Sequence, residues 1–241
     1  MNRTLRKTAR GAAAARVAPL VLLALAAACR HEEPIPPPPP ADQVFLSEEE
    51  ILRQRAEKDR LFREDPDSPI PPAERASFVG LDYFPYNPEM RFLVRLERFA
   101  DPEPFTILTT TGRPRPAQKV GVFRFTWRGI EATLTAYQLR DSGEEGFRQL
   151  FVPFMDETTG RETYGAGRYI DLPLDGHVDG WYGLDFNLAY HPLCAYGRTD
   201  YVCPRTPEEN RLPFPVRAGE RGRAHQPLPV DRAEERAEPS G

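Results

Sequence analysis

Ten side chains between positions 156 and 211 are of types that can do chemistry: Asp156, Thr158, Tyr164, Arg168, Tyr169, Asp185, Asn187, Tyr190, Asn210 and Arg211. Arg161, Thr163 and Glu220 lie among or just beyond them. A plain β core does not require this density of Asp, Asn, Tyr and Arg. Tyrosine faces with one or two guanidinium groups would form a pocket that grips an acidic or sugar-like ligand. Asp156 or Asp185 would act as a general base in a hydrolase-like enzyme if burial raised its pKa. Set against both is a structural role, in which Asp–Arg pairs and Asn–backbone hydrogen bonds pin irregular loops. Binding, of a small ligand or a protein partner, leads over catalysis because no nucleophile–base pair or metal set is complete.

Other reaction classes find little support. The serines are Ser47, Ser68, Ser77, Ser142 and Ser240, and none sits in a G-x-S-x-G elbow. There is no H-E-x-x-H pair for zinc and no G-x-x-x-x-G-K phosphate loop. Gly165-Ala166-Gly167 is not followed by a helical pattern, so a nucleotide loop is not expected. The run from Asp175 to Gly180 resembles half a calcium loop. His177 replaces an oxygen ligand there, and Phe186 stands where a bidentate Glu belongs, so it reads as an acidic turn. No cofactor is expected. Cys194 and Cys203, nine positions apart, suggest a disulfide in an oxidising compartment. A metal site with His191 and a pair of free thiols are the alternatives.

These residues need a frame, and the patterning supplies a mainly β one. The strand signals cover residues 91–99, 105–111, 148–153, 168–172 and 212–217, rich in Phe, Val, Leu, Ile and Thr. A hairpin spans 123–136. A two-residue turn at Arg128-Gly129 sets Trp127 opposite Ile130, Phe125 opposite Ala132 and Phe123 opposite Leu134. All six then share one face. One helix precedes the strands, with Ser47 as N-cap, Glu50 completing a capping box, and Leu46 and Ile51 placed for a hydrophobic staple. It should reach Glu64 and stop at Asp65-Pro66. Ile51, Leu52, Ala56, Leu61 and Phe62 form its thin apolar stripe. The fold expected is an antiparallel barrel-like or sandwich domain with one N-terminal helix.

The N-terminus reads as an address. Residues 1–28 hold five basic residues and no acid, then a short apolar run ending before Cys29, the pattern of a secretory signal. Ala26-Ala27-Ala28-Cys29 resembles a lipobox, which makes Cys29 a lipidation site and the membrane a partner through a lipid anchor. Pro36 to Pro40 should form a polyproline II spacer, placing a tether at 29–46. The remaining divisions are a helix and linker at 47–77, a β-rich domain at 78–220 and a disordered tail at 221–241. The chain has 32 Lys and Arg against 36 Asp and Glu, net −4; without the five basic residues of the signal this becomes 27 against 36, net −9. That balance excludes nucleic acid as a partner, since its affinity comes from neutralising phosphates. The expected location is the cell envelope, facing the periplasm or the cell surface.

Several words in the chain are similar to those of domain-of-unknown-function family 1684. They are D-x-T-x-G-R-E-T-Y from Asp156, G-R-Y from Gly167, L-D-F-N-x-A-Y from Leu184, P-x-C-A-Y from Pro192, C-P-x-x-P-x-E-N-R-L-P from Cys203 and A-G-E from Ala218. G-L-x-Y-F-P at Gly80 belongs with them. The resemblance implies a β-rich fold and brings neither a reaction nor catalytic residues. Many relatives carry an added domain similar to a forkhead-associated sandwich between the helix and this point, which is absent here. His191 stands where relatives often have Asn, which weakens any shared metal role.

Overall fold

The computed structural model describes residues 35–140, 143, 148–198 and 200–222. The signal segment, Cys29 and the tail beyond 222 lie outside the described residues. Six antiparallel strands wrap into a nearly closed barrel: β1 (Arg91–Leu108), β2 (Pro114–Trp127), β3 (Ile130–Leu139), β4 (Gln149–Phe154), β5 (Arg168–Pro173) and β6 (Trp181–Asp185). Their order across the sheet is β5-β4-β3-β2-β1-β6, so the meander ends with β6 back beside β1. The seam between β5 and β6 is bridged by Tyr169 and Tyr190. They exchange backbone hydrogen bonds of 2.9 and 3.0 Å.

The hairpin has the expected register, with Trp127, Phe125 and Phe123 opposite Ile130, Ala132 and Leu134. Arg128 (φ 48°) and Gly129 (φ 82°) form its turn, both left-handed as a type I′ turn requires. Two expected strands, 91–99 and 105–111, are instead one strand, β1. A register shift between Arg98 and Glu103 absorbs the polar and proline residues between them. β2 crosses there closely: a Cβ at Gly121 would lie 2.4 Å from the Glu97 carbonyl oxygen, so only glycine fits.

β6 was not expected from the pattern. It follows the Asp175–Gly180 segment, whose Asp179 (φ 50°) and Gly180 (φ 82°) make the turn from β5 to β6. Residues 212–217, expected as a strand, join no sheet. Pro213 and Pro215 remove two ladder donors. Leu212, Phe214, Val216 and Ala218 nonetheless alternate into the barrel core beside Phe123, Leu134, Phe154 and Phe186.

The helix α1 (Glu48–Glu64) starts and stops as its sequence indicates, with the Ser47 hydroxyl accepting the Glu50 N–H at 3.1 Å. Its packed stripe is not the expected apolar one. Leu52 and Leu61 are exposed. Between buried Ile51 and Phe62, the helix docks through charge. Arg55 donates to the carbonyls of Phe84 and Asn187, both at 3.1 Å. Asp59 accepts the Leu81 N–H at 2.9 Å. A one-turn helix, α2 (Pro72–Arg75), follows.

The chain before α1 also touches the barrel. The Trp181 indole donates to the Pro36 carbonyl at 3.1 Å, and Arg91 donates to the Leu46 carbonyl at 3.1 Å while stacking over Phe45.

Cys194 and Cys203 are joined by a disulfide, their Cα atoms 6.3 Å apart. The bridge is moored to the barrel through Thr110, whose N–H donates to the Cys203 carbonyl at 2.8 Å. Replacing both cysteines by serine is expected to destabilise the fold by about 2–4 kcal/mol on the loop-closure argument. Denaturant titration reads the loss. Intact mass after alkylation should show that reduction exposes two further thiols in the parent chain, those of Cys194 and Cys203.

Candidate functional site

Most of the polar cluster is frame. Arg168, the first residue of β5, and Asp156, just beyond β4, form an ion pair at 2.9 Å with both side chains fully buried. Arg168 also donates to the carbonyls of Ala218 (2.5 Å), Glu220 (3.0 Å) and Val216 (2.7 Å). The other Asp156 oxygen accepts the N–H groups of Thr158 (2.7 Å) and Val216 (3.3 Å). The pair thus bonds the backbone of the proline-interrupted segment, which has no sheet partner to do so. Burial lowers the Arg168 pKa, and the charges of Asp156 and Glu220 oppose that shift. The Thr158 hydroxyl pairs with that of Thr163 at 3.0 Å, closing the same turn.

The remaining amides and acids bind backbone in the same way. Asp185 accepts both the N–H and the side-chain amide of Asn187 at 2.9 Å, and burial raises its pKa. Asn187 in turn clamps the backbone of Asn87, accepting its N–H at 2.8 Å and donating to its carbonyl at 2.9 Å. Asn210 fills the gap where β3 and β4 pair only at Tyr137 and Phe151. Its side chain accepts the Thr135 N–H at 2.8 Å and donates to the carbonyls of Thr135 (2.9 Å) and Pro153 (2.7 Å). Arg211 is on the surface, paired with Glu208 beside a hollow of about 550 Å³.

A second buried cluster centres on Glu220. Its carboxylate meets Lys58 of α1 at 2.5 Å, the Tyr196 hydroxyl, and His191 through both the backbone N–H (2.9 Å) and Nδ1 (3.2 Å). His191 Nε2 accepts the N–H of buried Tyr164 at 3.3 Å. Accepting at Nε2 and facing a carboxylate at Nδ1 fixes one neutral tautomer. His191 is therefore engaged by Glu220 and Tyr164, not by the cysteines. Burial raises the Glu220 pKa, but the Lys58 charge and the His191 contact outweigh it and hold the carboxyl at about 2. Burial pushes His191 down against the pull of Glu220. Glycine delivers Glu220 to this place: Gly219 has φ +75°, and a Cβ there would lie 2.5 Å from the Ala189 carbonyl oxygen. The A-G-E word was the available sign of it.

Two of the sequence candidates, Tyr169 and Tyr190, line an open cleft of about 460 Å³ on the outer face of β4 and β5. Its floor is Phe151, Tyr169 and Leu139, and its outer wall is the disulfide loop with Leu193, Tyr201 and Val202. The Tyr169 hydroxyl donates to the Pro204 carbonyl, and the Tyr190 hydroxyl donates to Asp171. Asp171, Arg115 and Gln149 supply the polar points of the lining. Asp171 is exposed at the mouth yet crowded on its other sides. This desolvation raises its pKa, and the Tyr190 bond partly offsets the rise. Sequence reasoning missed Asp171 although β5 alternation marked it: Arg168, Ile170 and Leu172 face in, so Tyr169 and Asp171 face out. Among the described residues, no group of three or more His, Cys, Asp or Glu is placed to hold a metal ion.

Asp156→Asn leaves the Arg168 charge buried without its counterion. It is expected to cost about 3–5 kcal/mol, whereas Asp171→Asn at the cleft mouth changes the melting temperature little. Both the Glu220 and His191 pKa values are depressed in the folded state, so the unfolded chain binds more protons at low pH. The stability these two groups contribute is therefore complete above about pH 6.5. That contribution falls as His191 and then Glu220 favour the protonated unfolded state, the Glu220 part being lost from about pH 4.5 to about 2. Urea titrations across this range should show that Glu220→Gln flattens the acid limb.

A comparison with curated proteins returned no match. The solution NMR structure of an uncharacterised protein of Haloarcula marismortui is similar, with 41% identity, 73% of this chain and 94% of that chain covered, and a TM-score of 0.56. Residues 76–221 match the family described as "Protein of unknown function (DUF1684)". These residues take in all six strands, the Asp156–Arg168 frame, the Glu220 cluster apart from Lys58 of α1, and the cleft, and the chain belongs to that family.

Proposed function

We propose that this protein is an envelope lipoprotein, held at a membrane through a lipidated Cys29, whose barrel binds a small ligand in the cleft beside Tyr169 and Tyr190. The observation that carries the binding reading is the cleft itself. It is concave, aromatic and apolar on its floor, and has few polar points, which is the composition of a small-molecule site. Asp156 and Asp185 give a hydrolase reading little support: both Asp156 oxygens are committed to the buried frame, and Asp185 is buried with one oxygen bonded to Asn187 and the other 3.3 Å from Arg91 Nε. The location rests on the basic start, the short apolar run and the Cys29 that ends it. Two measurements test the proposal. A Cys29→Ala chain should move from the membrane to the soluble fraction, and equal membrane retention overturns the anchor. A thermal-shift screen of the full chain against envelope sugars, peptides and amphiphiles should give a hit whose shift is lost in Tyr190→Ala. At a hundred times Kd the stabilisation is about 2.7 kcal/mol. A shift untouched by Tyr190→Ala places binding elsewhere.

A further inference from the structure

Two loops are stitched into one surface: the β1–β2 turn, residues 108–114, and the disulfide loop, residues 192–206. The Thr110 N–H donates to the Cys203 carbonyl at 2.8 Å, and the Arg205 N–H donates to the Leu108 carbonyl at 2.7 Å. The Cys203 N–H returns to the Thr110 hydroxyl at 3.2 Å, and the disulfide closes the second loop on itself. Of the eight large apolar side chains exposed among the described residues, three stand on these two loops. They are Leu108, Leu193 and Val202, 55%, 39% and 43% exposed. Apolar side chains gathered on fixed loops mark an interaction surface. Charge names the partner. Arg113 and Arg205 lie exposed on the same loops and have no counterion among the described residues. Asp200 is the one acid of the two segments, and Arg198 pairs with it. The acids just beyond are engaged too, Glu208 by Arg211 and Glu209 by Lys119. The chain as a whole is net −4, so these loops differ in sign from the rest of the molecule. An anionic surface attracts them and repels the remainder.

We infer that these two loops dock the barrel on an anionic lipid bilayer. Leu108, Leu193 and Val202 enter the interfacial region, while Arg113 and Arg205 stay at the level of the lipid phosphates. Tyr201, next to Val202, is of the type that settles at that level. The loops are already ordered by their hydrogen bonds and disulfide, so docking costs them little conformational entropy. This contact belongs to the barrel and is separate from the proposed anchor at Cys29. An anchor limits how far the barrel can travel, whereas the loops decide which side of it meets the lipid. Because the disulfide loop is also the outer wall of the cleft, docking brings the cleft beside the bilayer.

The full chain carrying Val202→Trp tests this, mixed with vesicles of phosphatidylcholine and phosphatidylglycerol whose acyl chains are brominated. The introduced indole should be quenched well beyond the emission of the parent chain, whose Trp127 and Trp181 lie on the hairpin and on β6. Vesicles of phosphatidylcholine alone should quench it much less. Adding Arg113→Gln and Arg205→Gln should weaken docking about thirtyfold, at about fivefold for each arginine. Raised salt should loosen the chain that keeps both arginines, by screening. Adding Leu108→Asp instead should abolish the quenching, and circular dichroism verifies that each variant is folded. Sedimentation with the vesicles, read beside the emission, separates docking from anchoring. A chain that sediments while its introduced indole stays unquenched overturns the docking and leaves the anchor standing. An indole unquenched in a chain that does not sediment overturns both. Quenching that is equal on neutral and anionic vesicles, or indifferent to the two arginines and to salt, overturns the assignment to anionic lipid.

Discussion

The fold depends on a single buried ion pair. The segment from Arg211 to Glu220 must close the barrel interior, because Leu212, Phe214, Val216 and Ala218 complete its core. Its prolines deny it a place in the sheet, so its carbonyls would otherwise sit in the protein without partners. Arg168 and Asp156 serve as a substitute strand made of side chains, taking three carbonyls and one N–H of that segment. Burying two charges is costly, and hydrogen bonds to surrounding groups are what make it tolerable. Here three guanidinium N–H groups and one carboxylate oxygen are turned to backbone, while the Arg168 Nε–H finds no hydrogen-bond partner among the described residues.

From this pair the order spreads outward. Because Arg168 holds the Ala218 and Glu220 carbonyls, the Glu220 side chain is aimed at Lys58, His191 and Tyr196. That contact carries α1, whose seat on the barrel is made largely of charged side chains. The same strand that anchors the frame also presents the cleft. The pleat of β5 sends Arg168 inward and Tyr169 and Asp171 outward, so a rigid interior positions an accessible exterior. Tyr190 closes the arrangement, tied by backbone to Tyr169 and by its hydroxyl to Asp171.

Much of this was legible in the residues. The hairpin from Phe123 to Ala136, the limits of α1 and the linked cysteines follow from local rules of alternation, capping and spacing. The polar cluster was visible as composition, but its use was not. Whether Asp156 faces a pocket or a carbonyl depends on which backbone lacks a partner, and only the closed barrel reveals that. β6 escaped notice because Trp181-Tyr182-Gly183 carries a glycine in mid-strand. That glycine is there because the Val44 carbonyl oxygen would lie 2.9 Å from a Cβ. The α1 stripe was misread for a similar reason: Arg55, Lys58 and Asp59 pack inward because their partners come from residues 81, 84, 187 and 220, far along the chain. Asp171 was legible in principle, one step of alternation from Tyr169.

The contact between Trp181 and the Pro36 carbonyl bears on how far the barrel can stand from a membrane. A proline run that begins its engagement with the barrel at Pro36 is no longer a free stalk over its whole length. With Cys29 acylated as proposed, seven peptide steps separate the lipid from the docked chain, at most about 25 Å when fully extended. Such a leash is comparable to the width of a small domain. It would confine the barrel to the water layer next to the lipid headgroups, where it meets what lies on or emerges from that surface before anything in the bulk compartment.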